Sequence, residues 1–127
     1  MSFTSSAVSH LAPDVPSLDP ERVAMLRELC LDAGDDVMQE IVGSWQTEAI
    51  RHMDAAERSL LAADAPKAKA AAHALKGSCA NMGVARLAEL ARLLEIKVGA
   101  PGEAMAIVAA MQAEFARARA ELAKLGH

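Results

Sequence analysis

From Pro20 to Leu125 the apolar residues recur at alternating steps of three and four, the spacing that lines one face of an α-helix at ~100° per residue. Asp19-Pro20-Glu21 opens the first such segment: Asp19 can cap, Pro20 suits the first helical position, and Glu21 suits the positive end of the helix dipole. The predicted helix is short and ends near Cys30, with Val23, Leu26 and Leu29 or Cys30 along its apolar edge. Gly34-Asp35-Asp36 interrupts it and caps a longer helix from about Val37 to Leu61, whose inner stripe reads Met38, Ile41, Trp45, Ala49, His52 or Met53, Ala56 and Leu60. Asp64-Ala65-Pro66 repeats the capped start, and this third helix runs to about Met82, where Gly83 can take the left-handed conformation of a C-terminal cap. A fourth helix, about Val84 to Val98, buries Leu87, Leu90, Leu94 and Val98 and exposes Arg86, Glu89, Arg92 and Glu95. Gly99-Ala100-Pro101-Gly102 breaks it, and the last helix carries a nearly regular seam of Ala104, Val108, Met111, Phe115, Ala118, Leu122 and Leu125. Four long amphipathic helices on short turns predict an all-α, antiparallel up-and-down four-helix bundle with the short first helix capping one end. Residues 1–17, rich in Ser, with Pro13 and Pro16 and no period, predict a flexible N-terminal arm ahead of one domain over 18–127.

Composition fits that architecture. The chain has 127 residues, enough for one core, and 53% are hydrophobic while only 2% are aromatic, so its apolar content is mostly alanine and leucine, both strong helix formers. Trp45, the only tryptophan, falls on an inner stripe and is expected to anchor the core. His52 points to the same seam and is expected to be a partly buried histidine with a hydrogen-bond partner, and His10 lies in the arm with no reactive neighbours. Net charge is −4, which leaves no broad basic face for a phosphate backbone, so nucleic acid is not an expected partner. Cys30 and Cys79 both fall in helical patterns, and two cysteines make no disulfide framework, so reduced thiols and a cytoplasmic setting are expected. The first ten residues have no basic n-region, and no stretch of about 18 apolar residues occurs, so no membrane association is expected.

The third helix carries the candidate chemistry. Ala68, Ala72, Leu75, Cys79 and Met82 form its core stripe, and His73 projects about 140° from the middle of that stripe, toward solvent in mid-helix. Lys69 and Lys76 flank it on one side, Ala70 and Gly77 on the other. Gly77 sits one turn beyond His73 on the same face and costs the helix about 1 kcal/mol relative to alanine. No packing demand explains a glycine on an outward surface; it clears space above the imidazole.

His73-x-x-Lys76-Gly77-Ser78, followed by Gly83 and an amphipathic helix, resembles the signature of histidine-containing phosphotransfer (HPt) domains, which relay phosphoryl groups between receiver domains in multistep phosphorelays. The resemblance runs in detail through about Glu95 and, in helix pattern, through most of the chain. It implies that Nε2 of His73 takes a phosphoryl group from an aspartyl phosphate on one receiver and passes it to the aspartate of another. On this view the domain is a phosphocarrier rather than an enzyme, it holds no cofactor of its own, and the Mg²⁺ and acidic pocket belong to the receiver. Response regulator receivers and a hybrid sensor histidine kinase are the implied partners, and a monomer is the implied state.

The residues themselves are consistent with that division of labour. A neutral imidazole is the nucleophile such transfer needs, and histidine's ordinary pKa supplies it near neutral pH. Lys76, one turn away, disfavours the imidazolium and attracts a phosphoryl dianion. Ser78 lies farther round the helix, as a supporting residue or simple helix filler. Ala70, Ala74, Gly77 and Ala80 make a flat patch on which a receiver can dock, with Lys69 beside it. The sequence has no Gly-rich nucleotide loop and no acidic cluster spaced for magnesium. One alternative is a dimeric histidine-kinase bundle, in which an acidic residue usually follows the reactive histidine; here Ala74 follows. Another is a helical adaptor without phosphochemistry; a haem or metal bundle would need more core-facing ligands than His52 alone.

Overall fold

The structure, a computed structural model, describes residues 12 and 14–125. Among them are five helices: α1 (Pro20–Leu31), α2 (Asp35–Leu61), α3 (Ala65–Met82), α4 (Ala85–Lys97) and α5 (Pro101–Leu125). Each long helix packs on the next, α5 closes back on α2, and the diagonal pairs α2/α4 and α3/α5 do not meet, so the four stand at the corners of a square. Connections of two or three residues join the four long helices and leave no room for a crossover between them.

The helix starts follow the predicted chemistry with one exception. The Asp19 carboxylate accepts from the Glu21 backbone N–H at 3.1 Å, and Asp64 accepts from that of Lys67 at 3.1 Å, each satisfying an orphan donor of the first turn. Before α2 the cap position is Gly34, with φ 101° and no side-chain hydrogen bond, and Asp35 and Asp36 already lie inside the helix. Of the expected capping stretch Gly34-Asp35-Asp36, it is the glycine, at positive φ, that takes the cap position and makes the turn.

The core fills the square from all four sides. Leu75, Leu87, Leu90, Leu94 and Met111 are almost fully buried, each worth about 1.5–3 kcal/mol of transfer free energy. Buried alanines such as Ala49, Ala56, Ala72, Ala91, Ala104 and Ala118 let the helix backbones approach closely. Trp45 is 2% exposed and its ring meets Phe115 at 5.3 Å between centroids, so two of the few aromatics form one tilted pair between α2 and α5. The α2 seam resolves in favour of Met53, which is buried, while His52 is half-buried and has no hydrogen-bond partner among the described residues. Cys30 and Cys79 are free and buried; burial pushes the Cys79 thiol up to about 12, with the neighbouring Trp45 indole as a lesser, opposing influence.

Helix α1 lies across the end of the bundle where α3 stops. The Asp19 N–H donates to the Gly83 carbonyl at 2.7 Å and Arg22 Nε donates to the Asn81 carbonyl at 2.9 Å. Both carbonyls belong to the end of α3, which cannot satisfy them internally. The expected arm, residues 1–17, lies largely outside the described residues. Of its described part, Val15 offers its carbonyl to Arg86 Nε at 2.6 Å, Ala12 packs against the core, and Ser17 is buried. Arg86, read from the sequence as exposed, therefore bridges inward, its guanidinium also 3.7 Å from the buried Glu114 of α5.

Candidate functional site

Helix propensity and the core stripe fix the phase of α3. Ala68, Ala72, Leu75, Cys79 and Met82 are all buried, so the opposite face must look out. His73 stands there with 67% of its side chain exposed, in the middle of a helix whose two ends are both capped. Ala70, Ala74, Gly77 and Ala80 are exposed around it, and nothing lies within 4 Å of where a Gly77 Cβ would stand. Lys69 is exposed and makes no ion pair among the described residues. Ser78 turns toward α2 and its hydroxyl donates to Glu48 at 3.5 Å, so it supports the α2–α3 seam rather than the imidazole.

Two features of the site differ from expectation. Glu95 of α4, read as one of four solvent-facing residues, reaches across to α3 and is only 19% exposed. Its Oε2 lies 3.1 Å from His73 Nδ1. Its Oε1 lies 3.0 Å from Lys76 Nζ, an ion pair although off the line of a well-directed hydrogen bond. Lys76 is thus not a free cation beside the ring; it is one third exposed and neutralised across the helix pair. The reason is register. His73 stands ten residues before Gly83 and Glu95 eleven after Val84, so a tight turn brings the two opposite each other along antiparallel helices. Counting outward from the turn would have paired them; the face of α4 alone does not. Arg92 leans on Glu89 instead, a bidentate pair that leaves this site alone.

The electrostatics are those of a compact triad. Lys76 above all holds the Glu95 carboxyl below its ordinary value near 4.5, burial opposes it less strongly, and His73 adds a lesser lowering, so the group is ionised at neutral pH. An ionised carboxylate only accepts hydrogen bonds, which places the ring proton at Nδ1 and leaves the Nε2 lone pair unshared. Among the described residues no group hydrogen-bonds Nε2. No group of three or more His, Cys, Asp and Glu among them is arranged to hold a metal ion, and no described helix is long and apolar enough to cross a membrane. What this arrangement offers is a single outward nucleophile on a rigid helix, with a cation one turn away and open space beside it.

Residues 40–121, more than half of the chain and the whole of the site, match the Hpt domain profile. The chain belongs to the Hpt domain family. Histidine phosphotransfer in a phosphorelay, among receiver domains and kinases, is the function of this family, and its members are phosphocarriers. In fold the Hpt domain described here is similar to HptB from Pseudomonas aeruginosa PAO1, a histidine-containing phosphotransfer protein, with a TM-score of 0.76 and 26% identity over 87% of this chain and 95% of that one. It is also similar to a rice protein assigned as a histidine-containing phosphotransfer protein, with a TM-score of 0.71 and 18% identity over 94% of this chain and 88% of that one, a likeness of fold. No curated protein sequence matches it.

Proposed function

We propose that Nε2 of His73 is the phosphoryl acceptor, taking the group from an aspartyl phosphate on one response regulator receiver, such as that of a hybrid sensor kinase, and giving it to the aspartate of another. One observation carries this reading: His73 is held outward with Nδ1 occupied by Glu95, Nε2 free, and open space over Gly77. Lys76 attracts the arriving dianion, and the exchange of Glu95 for phosphoryl oxygens as its partner balances charge in both states. The ridge of Ala70, Ala74, Gly77 and Ala80, with Lys69 at its edge, is the docking surface; Ile96, next to Glu95 in sequence and 61% exposed, extends it onto α4. Mg²⁺ and the acidic pocket that stabilises the transferring phosphoryl group are the receiver's, and this chain brings neither cofactor nor base. The protein acts as a cytoplasmic monomer, its net charge of −4 turning it away from nucleic acid and anionic membrane surfaces.

Incubation with a phosphorylated receiver and Mg²⁺ should label the protein with an acid-labile, base-stable phosphate, and His73→Gln should abolish the label. Label surviving in that variant would move the site elsewhere. Sizing of the free protein checks the monomer: an obligate dimer would favour a kinase-type bundle.

A further inference from the structure

The charges around His73 cancel in pairs, and the pairs differ in how firmly they are held. Lys76 and Glu95 join α3 to α4 across the seam, 3.0 Å apart, with the His73 ring on the other carboxylate oxygen. Glu89 and Arg92 belong to α4 alone. Arg92 Nε donates to Glu89 Oε1 at 2.9 Å and to Oε2 at 3.1 Å, a contact between i, i+3 neighbours on the outer side of one helix. A phosphoryl group on His73 brings close to two negative charges into a site where Lys76 is already neutralised. Lys69, one turn earlier on α3, lies on the side of the ring away from Gly77.

Arg92 is placed to meet that charge. It stands three residues before Glu95, so about 60° round α4 from it on the outward side. Counted away from the turn at Gly83 and Val84 it comes level with Lys76, eight residues after Val84 against seven before Gly83. One turn of α4 therefore separates it from the carboxylate that touches the ring, and it borders the open space over Gly77. We propose that Glu89 and Arg92 form a partner-exchange switch: Glu89 holds the guanidinium back while the His73 ring is bare, and Arg92 turns to the phosphoryl oxygens once the ring is loaded.

This rests on the phosphotransfer reading above. Only hydrogen bonds and ion pairs change in the exchange; the N–P bond itself forms from the Nε2 lone pair as the aspartyl P–O bond breaks, and its electron pair returns to Nε2 on discharge. Glu89, left without its arginine, is returned to water, and an exposed pair within one helix is weak enough to give way. A guanidinium on phosphoryl oxygens is a bidentate, charge-assisted contact of the stronger kind. The resting pair and the loaded pair are thus alternatives for one cation, and the phosphoryl group decides between them.

The test needs no receiver. Potassium phosphoramidate, a small phosphoryl donor that labels accessible histidines, loads the full-length protein, and the His73 signal in phosphorus-31 NMR is the one missing from His73→Gln. A guanidinium at the phosphoryl oxygens favours their dianion, so the pH midpoint of that signal should lie higher in Arg92→Gln than in the unsubstituted protein, by on the order of half a unit or roughly threefold in proton affinity. Arg92→Lys should recover part of the shift. Glu89→Gln should move the midpoint the other way, because it releases the arginine, and the nitrogen-15 signal of Arg92 Nε should shift on loading in the unsubstituted protein. All three variants should melt with the unsubstituted protein, since they alter an exposed pair. An unchanged midpoint in Arg92→Gln, an Arg92 signal indifferent to loading, or a Glu89→Gln shift in the same direction as that of Arg92→Gln would overturn the proposal and leave the pair as part of the helix surface. The two readings fail separately: phosphorylated receivers that leave His73 unlabelled would refute the transfer reading, whereas the chemically loaded protein judges Glu89 and Arg92 whatever the receivers do.

Discussion

Two glycines of the same helix pair occupy opposite environments. Gly83 ends α3 at φ 73°, and a Cβ there would stand 3.1 Å from both Cβ and Cγ of Arg22 and 3.2 Å from Cγ2 of Val23. It is glycine because α1 crosses the helix end at close range and because the cap needs a left-handed residue. Gly77 lies six positions earlier in an ordinary helical turn with nothing within 4 Å. Neither backbone nor packing asks for glycine there, and the helix gives up about 1 kcal/mol by having it. A glycine whose surroundings do not require it, beside an outward imidazole, is explained by what must approach from outside. The α1–α3 crossing serves the fold, the open ridge serves the transfer proposed above, and the two can be broken independently.

The largest effect on the folded state belongs to the crossing. Gly83→Ala should destabilise the protein by about 1–3 kcal/mol, combining the left-handed backbone penalty with displacement of Arg22 and Val23, and should lower the thermal midpoint by several degrees. Phosphoryl transfer by the molecules that remain folded should be unaltered. Gly77→Leu inverts both results. Helicity and melting should stay the same or rise by up to about 1 kcal/mol, since leucine is the better helix former, while transfer slows because the side chain fills the space beside Nε2. Unchanged transfer in Gly77→Leu would remove the clearance argument, and an unperturbed melting curve in Gly83→Ala would remove the crossing argument.

The same contrast explains what could be read from the sequence. Periodicity fixes the phase of each helix about its own axis, so the outward turn of His73 and the burial of Trp45 followed from spacing alone, and the residue type at Gly83 was enough for the left-handed cap. It says nothing about how two helices are rotated toward each other. Glu95 and Arg86 both lie on the predicted outer face of α4, yet each sits on a flank where a neighbour comes within reach, Glu95 to His73 and Lys76, Arg86 to Val15 and Glu114. The choice between His52 and Met53 was likewise a matter of some tens of degrees on α2, settled by packing in favour of Met53. The outward placement of His73 and of the small residues around it was legible residue by residue, and the carboxylate that meets the ring was not, because it belongs to a helix-helix register set by the tight turn at Gly83 and Val84.

On the open ridge the next effect in size is that of the two lysines. Lys76→Ala should lower the transfer rate or shorten the lifetime of the phosphoryl group more than Lys69→Ala does, because Lys76 is held on Glu95 beside the ring while Lys69 is solvated. Equal effects would return Lys76 to the ordinary helix surface. Neither substitution should move the melting temperature by more than a degree or two, unlike Gly83→Ala.

The smallest effect is thermodynamic. Because Lys76 and His73 hold the Glu95 carboxyl below its ordinary value near 4.5, the unfolded chain takes up this proton first as pH falls. The associated stability is therefore present at neutral pH and lost as pH drops from about 4.5 through the lower native value. On a partly exposed site it amounts to under about 1 kcal/mol. Urea denaturation of the unsubstituted protein and of Glu95→Gln should differ by a constant amount above about pH 5, and the difference should shrink toward zero between pH 4.5 and pH 3. A difference that persisted unchanged at pH 3 would mean that the Glu95 side chain contributes through packing rather than charge. The shared carboxylate would then belong to the architecture of α3 and α4, and the division between a closed crossing and an open, chemically tuned ridge would not hold.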